Sequence, residues 1–496
     1  MKKQFLLNLS LLFLVNLLVK PTWIFADLMV QRETGASYGI YFVLLNLTLL
    51  LNIFLDLGTS NFNNRKVAAH TSKFTTYFSR FFTLRLVLSI VYLAILLITA
   101  LVLGYEKSSY SILLMLGFNQ ILVSFITYFR SNLTALGYFK YDALISILDR
   151  LIMIAIISTV LWSHSAEMSI ERFVQIQLIG YLTGAMVAFI ILFSKEGLFK
   201  LRWKWKFNKT LLRKSLPYAL IVILMSAYSY ADSLMLKGLR VDGIKQNAIY
   251  AQSFRIIMAI NNYTFLISVL LLPLFSKMIR QQQGVQNLVR LSGTLLLYGT
   301  GCLALIFHLF SSEFVHLLYG IFPKDFSLVQ RFGSNIPELK NLKEVKYSAE
   351  VFSFLLLVSL PMSFNYIYGV LITAGGRMKM LNIMAAVAVI ANLALNYLLI
   401  PAHGAIGAAI ASLTTQSLFA VGQCIYAYYA YSLPFSKLHF LKFILVFCVI
   451  YGLHWSFKDL ISPLELLTLI VVAAGCGLLF FRIITWGNIK RHLLNP

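Results

Sequence analysis

The sequence predicts an all-α, polytopic membrane protein of about fourteen transmembrane helices, and three observations carry that reading. Hydrophobic residues fill 59% of the 496 positions and charged residues only 12%, against roughly 45–50% and about 25% in soluble domains. Apolar runs of about 18–22 residues recur from end to end, each long enough to cross some 30 Å of hydrocarbon as a helix. Those runs lack a polar residue at every second place, which sets aside an outer-membrane barrel.

In chain order the runs place spans near residues 6–26, 39–58, 86–104, 111–129, 143–162, 173–193 and 215–236. Seven more follow near 248–270, 291–310, 349–374, 380–400, 405–430, 440–456 and 464–482. Met1-Lys2-Lys3 with the apolar stretch after it resembles the start of a signal peptide, but the run continues through Trp23, Ile24 and Phe25 with no small-x-small cleavage site. A retained first helix is the expectation.

The 42 Lys+Arg against 18 Asp+Glu give a net charge of +24, which in a membrane protein reports topology before it reports any nucleic acid partner. With the N-terminus inside, alternate loops carry the excess. They hold Arg65, Lys66, Lys73, Arg80 and Arg85, then Arg130 and Lys140, then a run from Lys195 to Lys214. Lys277, Arg280, Arg290, Arg377, Lys379, Lys437, Lys442, Arg482, Lys490 and Arg491 continue the series. About 27 basic residues fall inside and about 13 outside, so both termini are expected in the cytoplasm of a bacterium, beneath its inner membrane.

The basic stretch divides the chain into a first lobe over 1–197, a cytoplasmic linker over 198–214, a second lobe over 215–432 and an extra helix pair with a tail over 433–496. In the linker, Trp203, Lys204, Trp205 and Lys206 read as an interfacial anchor, with a regulatory or partner site as the other reading. Residues 311–348 form the longest outside loop. Cys302, Cys424, Cys448 and Cys476 all sit in apolar runs without paired spacing, so neither a disulfide framework nor a zinc site is expected.

Ionisable groups inside the bilayer cost about 2.5–3.5 kcal/mol each and usually face a cavity or a partner. Arg150 lies roughly 10 Å into the fifth span, and Arg255 about as far into the eighth. Lys20, expected near the outer end of the first span, either faces the same cleft or snorkels to the interface. Asp149 neighbours Arg150 in sequence and stands about 100° away around the helix, a poor geometry for pairing, so Arg150 is expected to need a partner from elsewhere. Asp232 offers Arg255 a structural ion pair as the alternative to a cavity role. Asn262, Asn392 and Asn396 are candidates for sugar recognition, with interhelical hydrogen bonding as the plainer reading.

A cleft lined by guanidinium groups suits an anion, because the planar fork holds phosphate oxygens bidentately and stays charged. A diphosphate on a polyprenol, its tail in the bilayer, fits both charge and location. No GxxxxGK[ST] loop, metal-ligand spacing or nucleophile elbow appears, so neither an ATP-driven pump nor an enzyme is expected, and no cofactor.

The stretches Arg32-Glu-Thr-Gly35-Ala-Ser-Tyr38-Gly39, Phe54-Leu-Asp56-Leu-Gly58 and Arg65-Lys66-Val-Ala68 resemble the first hairpin of polysaccharide flippases. These belong to the multidrug/oligosaccharidyl-lipid/polysaccharide exporter superfamily. Ile249-Tyr250-Ala251-Gln-Ser253-Phe-Arg255 and Leu272-Pro273-Leu-Phe275-Ser276 are similar to the second half. Thr373-Ala-Gly375-Gly-Arg377 and Asn392-Leu-Ala-Leu-Asn396 through Gly404 and Gly407 are similar to the C-lobe. The resemblance implies two six-helix lobes around a basic central cavity, alternately open to each side, with a trailing helix pair. It implies an anionic lipid-linked sugar as cargo, and an undecaprenyl-diphosphate oligosaccharide for O-antigen, capsule or exopolysaccharide is the expectation, with a polymerase and chain-length machinery as expected partners. Reset of a cationic cavity needs charge compensation, so coupling to an H+ or Na+ gradient is expected. Arg255 is the cavity residue the resemblance marks, while Asp56, Gly58 and Arg65 take a gate or structural role. A lipid II flippase and a cation-coupled multidrug exporter of the same superfamily are the alternatives, the exporter needing cavity acids that this chain lacks in number.

Overall fold

The computed structural model describes residues 2–59, 74–163, 167–197, 199–319, 342–433 and 437–480, and every regular element among them is a helix. Hydrocarbon dictates this outcome, since each backbone N–H and C=O must be bonded within its own segment where no water reaches. The first helices are α1 (Lys2–Thr34), α2 (Tyr38–Leu50), α3 (Phe74–Val102), α4 (Ser109–Ala135), α5 (Phe139–Ser163) and α6 (Ile170–Glu196). Then come α7 (Trp205–Leu239), α8 (Gly243–Arg280), α9 (Gln286–Leu309), a short α10 (Ser311–Tyr319) and α11 (Leu342–Leu357). The chain closes with α12 (Ser359–Ala374), α13 (Met378–His403), α14 (Ala405–Tyr431), α15 (Lys437–Phe457) and α16 (Pro463–Phe480).

All fourteen expected spans fall on these helices. Eight helical stretches among the described residues are long and apolar enough to cross a membrane by length and composition alone. Two spans depart from a single continuous helix. The second stops at Leu50, continues as a 3-10 turn over Asn52–Leu55, and unwinds where Leu57 (φ 46°) and Gly58 (φ 76°) turn left-handed. The tenth is pinched at Val358, whose N–H bonds the Leu355 carbonyl three residues back. Pro361 explains the pinch, because it has no N–H for the Leu357 carbonyl and its ring crowds that turn.

Two compact units emerge, one built on Met1–Ala248 and the other on Ile249–Phe322 with Pro337–Pro496. In the first unit α4 packs on α5 and α6, α1 packs on α5, and α2 packs on α7. Helix α7, expected to open the second lobe, thus lies against the first hairpin. Gly39 makes room for the first turns of α8 beside it, since a side chain at that position would overlap the Ile244 carbonyl. Gly180 and Gly184, four apart on α6, do the same for α5: a methyl on Gly180 would stand 2.9 Å from the Asp149 carbonyl oxygen and 2.7 Å from Met153 Cε. Small residues of this kind let backbones approach where lipid supplies no hydrophobic drive between helices.

In the second unit α13 and α14 form a hairpin around Gly404, which has φ 59°, and α14 also packs on α11 and α12. Asn365 donates to Gln416 at 2.8 Å and Ser363 donates to Thr300 at 2.8 Å, bonding α12 to α14 and α9. The C-terminal pair docks on α9, where the Tyr298 hydroxyl donates to the Ala474 carbonyl at 2.6 Å. Ser462-Pro-Leu-Glu465 starts α16 as a capping box: the Ser462 N–H donates to the Glu465 carboxylate at 3.0 Å. Outside the helices, Arg240 Nε at 2.6 Å and Gln246 at 2.7 Å donate to Asp242, and the arginine contact above all holds that carboxyl below its ordinary range.

Exposure runs opposite to that of a soluble protein. Ile90, Leu101, Ile190, Val387 and Ile390 point outward, while Asn46, Asn119, Asn132, Gln416 and Gln423 are enclosed. Polar groups turned inward and aliphatic ones turned outward are what a lipid solvent selects. Because Gly180 abuts backbone that cannot yield, Gly180→Ala is expected to destabilise the protein by about 1–3 kcal/mol. Gly299→Ala, with open space around it on α9, is expected to be neutral or to stabilise by about 0.5–1 kcal/mol. Thermal unfolding of the two variants in detergent checks the contrast, and equal behaviour would remove Gly180 from the packing argument.

Candidate functional site

Three cations from three helices of the first unit share one neighbourhood: Lys20 on α1, Arg130 on α4 and Arg150 on α5. Lys20 lies within electrostatic reach of Arg150 and of Arg130. Helix packing brings them together, since α5 contacts both α1 and α4. Lys20 was expected near the outer end of its span. In the structure it lies mid-helix, since α1 runs on for about 21 Å beyond it through Asp27, Gln31 and Arg32, past the end of the apolar run.

Arg130 pairs through Nε with Asp142 at 2.7 Å. Arg150 does pair with Asp149, against the expectation, with Nη1 at 3.3 and 3.4 Å from the two carboxylate oxygens. The side-chain positions separated by 100° are bridged because the long guanidinium folds back, while Asp149 is held in place against Gly184 of α6. That contact is long beside the roughly 2.7–2.9 Å of a strong charge-assisted bond. One carboxylate oxygen of Asp149 is also taken by the Arg150 backbone N–H at 2.8 Å.

In each pair the acid is the more enclosed partner. The Arg150 and Arg130 side chains are 33% and 31% exposed, against 8% for Asp149 and 14% for Asp142. Among the described residues no carboxylate pairs with Lys20, and the arginines leave most of their five N–H donors open. Three cations against two acids leave a net positive locus, with free donors, beside apolar spans. Such a locus can hold an oxyanion with several negatively charged acceptors.

Arg255 is half-buried on α8 in the second unit, Asn262 on the same helix is exposed, and Asp232 is buried on α7 in the first unit. Asn392 and Asn396 do not line an open surface. Both are fully enclosed, with Asn396 donating to Asn392 at 3.1 Å and Asn392 donating to the Thr415 hydroxyl of α14 at 3.4 Å. The Asn392 bond joins α13 to α14. Arg65 lies outside the described residues.

Asp56 has a partner that the sequence did not suggest. Arg85, counted as a loop residue, is buried in the first half of α3 and reaches Asp56 with Nη2 at 2.5 Å. Its Nη1 donates to the Ser124 carbonyl at 2.8 Å and hydroxyl at 2.6 Å, and its guanidinium lies 5.0 Å from the Tyr128 ring centre. The Thr59 hydroxyl completes the carboxylate at 3.0 Å. This network pins the unwound end of the second span, including left-handed Gly58, to α3 and α4. The signal available in the sequence was that Arg85 is flanked by Phe81, Phe82, Leu84, Leu86 and Leu88, an apolar setting on both sides. A second missed residue is Asp27, buried on α1, whose two oxygens accept from the Tyr38 hydroxyl at 2.9 and 3.0 Å.

Removing one member of a buried pair strands the other charge. Asp56→Ala is therefore expected to cost about 3–5 kcal/mol, and the double variant Asp56→Asn/Arg85→Met to recover most of it. Thermal unfolding of the three proteins in detergent checks this, and a double variant as weak as the single one would assign the loss to shape in place of charge.

The chain's fold and sequence have relatives. A search of curated proteins finds no match. Among solved structures, "Lipid II flippase MurJ, inward closed conformation" superposes with a TM-score of 0.73 at 13% identity, covering 98% of this chain and 100% of that one. An inward-facing multidrug resistance MATE family transporter of the MOP superfamily gives 0.64 at 13% identity, covering 86% and 98%. A MOP superfamily transporter from Pyrococcus furiosus gives 0.55 at 12% identity, covering 86% and 95%. The helical fold of these structures is thereby shared over 86–98% of the chain. The family model described as "Polysaccharide biosynthesis protein" matches residues 8–279, more than half of the sequence, and the chain belongs to that family.

Proposed function

We propose that this protein translocates an undecaprenyl-diphosphate oligosaccharide across the bacterial cytoplasmic membrane by alternating access, supplying surface polysaccharide such as O-antigen, capsule or exopolysaccharide. The observation that carries the reading is the grouping of Lys20, Arg130 and Arg150, with fewer acids than cations and with guanidinium donors left open. A diphosphate brings several acceptor oxygens and at least two negative charges to such a locus. Its prenyl tail stays in lipid while its sugars need a polar path.

Chemistry disfavours a cationic drug as cargo, since it would meet three like charges in a medium where screening is weak. Rocking of repeats around a fixed locus supplies the transport step. Return of the emptied, positively charged site requires charge compensation, and a proton or sodium gradient provides it. Both termini lie in the cytoplasm on this reading, and the polymerase and chain-length machinery receive the product on the other side.

Depleting the protein in its host is expected to strand lipid-linked repeat units on the cytoplasmic leaflet and to reduce surface glycan. Arg150→Ala, and separately Lys20→Ala, are expected to lower glycan output by about tenfold to a hundredfold, the range of a lost charge-assisted bond, with membrane abundance unchanged. Arg150→Lys is expected to recover part of it. Wild-type glycan output in the Lys20→Ala/Arg150→Ala double variant would remove the cluster from the transport path.

A further inference from the structure

The segment leading into α7 has a pattern unlike any other in the chain. From Phe199 to Phe207, apolar and cationic residues alternate strictly: Phe199, Leu201, Trp203, Trp205 and Phe207 are interleaved with Lys200, Arg202, Lys204 and Lys206. Residues 199–204 are not helical, and Lys204 is extended at φ −133° and ψ 103°. In an extended chain, alternation by two puts apolar groups on one side and charges on the other.

This strap is fixed in place. Phe199 is wedged among Phe78, Phe82 and Phe193, with ring centres 4.6, 5.1 and 5.0 Å away. The Ser79 hydroxyl donates to the Lys200 carbonyl, and the Arg202 N–H donates to the Thr83 hydroxyl at 3.2 Å. At the other end Phe207 packs edge-on against Phe81 at 5.8 Å and beneath the Arg80 guanidinium at 5.2 Å. Anchored at both ends on α3, the strap leaves every residue from Lys200 to Lys206 exposed, including the indoles of Trp203 and Trp205, 6.3 Å apart. No acid occurs between Gly197 and Ala231 to offset the charge.

We infer that the strap is a docking surface for anionic phospholipid headgroups, its indoles seated at headgroup depth and its four cations holding lipid phosphates. Charge complementarity selects this occupant: indoles favour the interface and clustered Lys and Arg favour anionic leaflets. Zwitterionic lipid offers the same apolar depth without the net charge, so the preference between the two separates the terms. Bound lipid would hold the connection between α6 and α7 at a set depth beside α3, whatever the chain carries.

The test uses the full chain in proteoliposomes, with Trp23→Phe, Trp162→Phe, Trp455→Phe and Trp486→Phe leaving Trp203 and Trp205 as reporters. Quenching is compared between brominated phosphatidylglycerol and brominated phosphatidylcholine of the same chain length. Phosphatidylglycerol is expected to be preferred by at least about tenfold at low salt, and the preference to fade as salt is raised. Lys200→Gln/Arg202→Gln/Lys204→Gln/Lys206→Gln is expected to abolish it, while Lys277→Gln/Arg280→Gln/Arg290→Gln leaves it intact. The salt series needs no strap variant and stands if that variant does not fold. Equal quenching by the two lipids at low salt, or a preference that survives either high salt or the four glutamines, overturns the inference; in the first case an acidic protein segment becomes the better partner. Quenching reads lipid contact without transport, so its failure leaves the flippase reading untouched.

Discussion

A polar group left without a partner in hydrocarbon costs several kcal/mol, and the rest of this structure follows from avoiding that cost. Each described element is a helix, and several enclosed amides find a neighbour. Gln177 reaches the Tyr41 hydroxyl at 2.8 Å, Asn365 reaches Gln416, and Asn396 reaches Asn392. Such bonds close only if the helices come near enough, which is where the small residues enter. Gly180 and Gly184 bring α6 against α5, and Gly407 brings α14 within a methyl's width of the Leu399 carbonyl on α13. Packing and polar satisfaction are thus one requirement met twice, by shape and by hydrogen bonding.

The same constraint separates two kinds of membrane arginine. Arg85 is enclosed and saturated, with a carboxylate, a hydroxyl, a carbonyl and an aromatic face around a single guanidinium. It has nothing left to offer a ligand, and its effect is to fix the unwound turn at Asp56. Arg150 is one-third exposed, its acid stands at 3.3 Å, and it shares its surroundings with Lys20 and Arg130. A fold that needed Arg150 only for stability would gain more by closing that contact. The open donors of Arg150 are what support the proposal of an anion site there.

Much of the fold was legible because bilayer thickness is written as run length: all fourteen expected spans lie on helices. What the runs did not reveal were events inside or beyond them. The pinch at Val358 follows from Pro361, visible in the sequence yet outvoted by the apolar run around it. Arg85 was read as loop because counting charges between runs treats helix ends as loops, whereas α3 starts at Phe74, well before its apolar stretch. The rule that adjacent residues diverge by 100° holds for Cβ positions but not for the tip of an arginine, and Arg150 crosses that gap to Asp149. For Asn392 and Asn396 the i,i+4 spacing identified a shared face correctly; only Thr415 on α14 shows which way it points.

Two sets of cations remain, and depth decides how differently they act. At the strap, Lys200, Arg202, Lys204 and Lys206 stand in water and headgroups, where salt screens them over roughly 8–10 Å and each contact is weak and exchangeable. A surface of that kind tells anionic from neutral lipid but hardly one anion from another. The Lys20, Arg130 and Arg150 group is flanked by apolar helices, where the dielectric is lower and an unpaired charge is felt more strongly. There the number and placement of open N–H donors can tell a diphosphate from a single phosphate. On this account retention in the membrane and recognition of cargo draw on the same residue types, and burial alone turns one into the other.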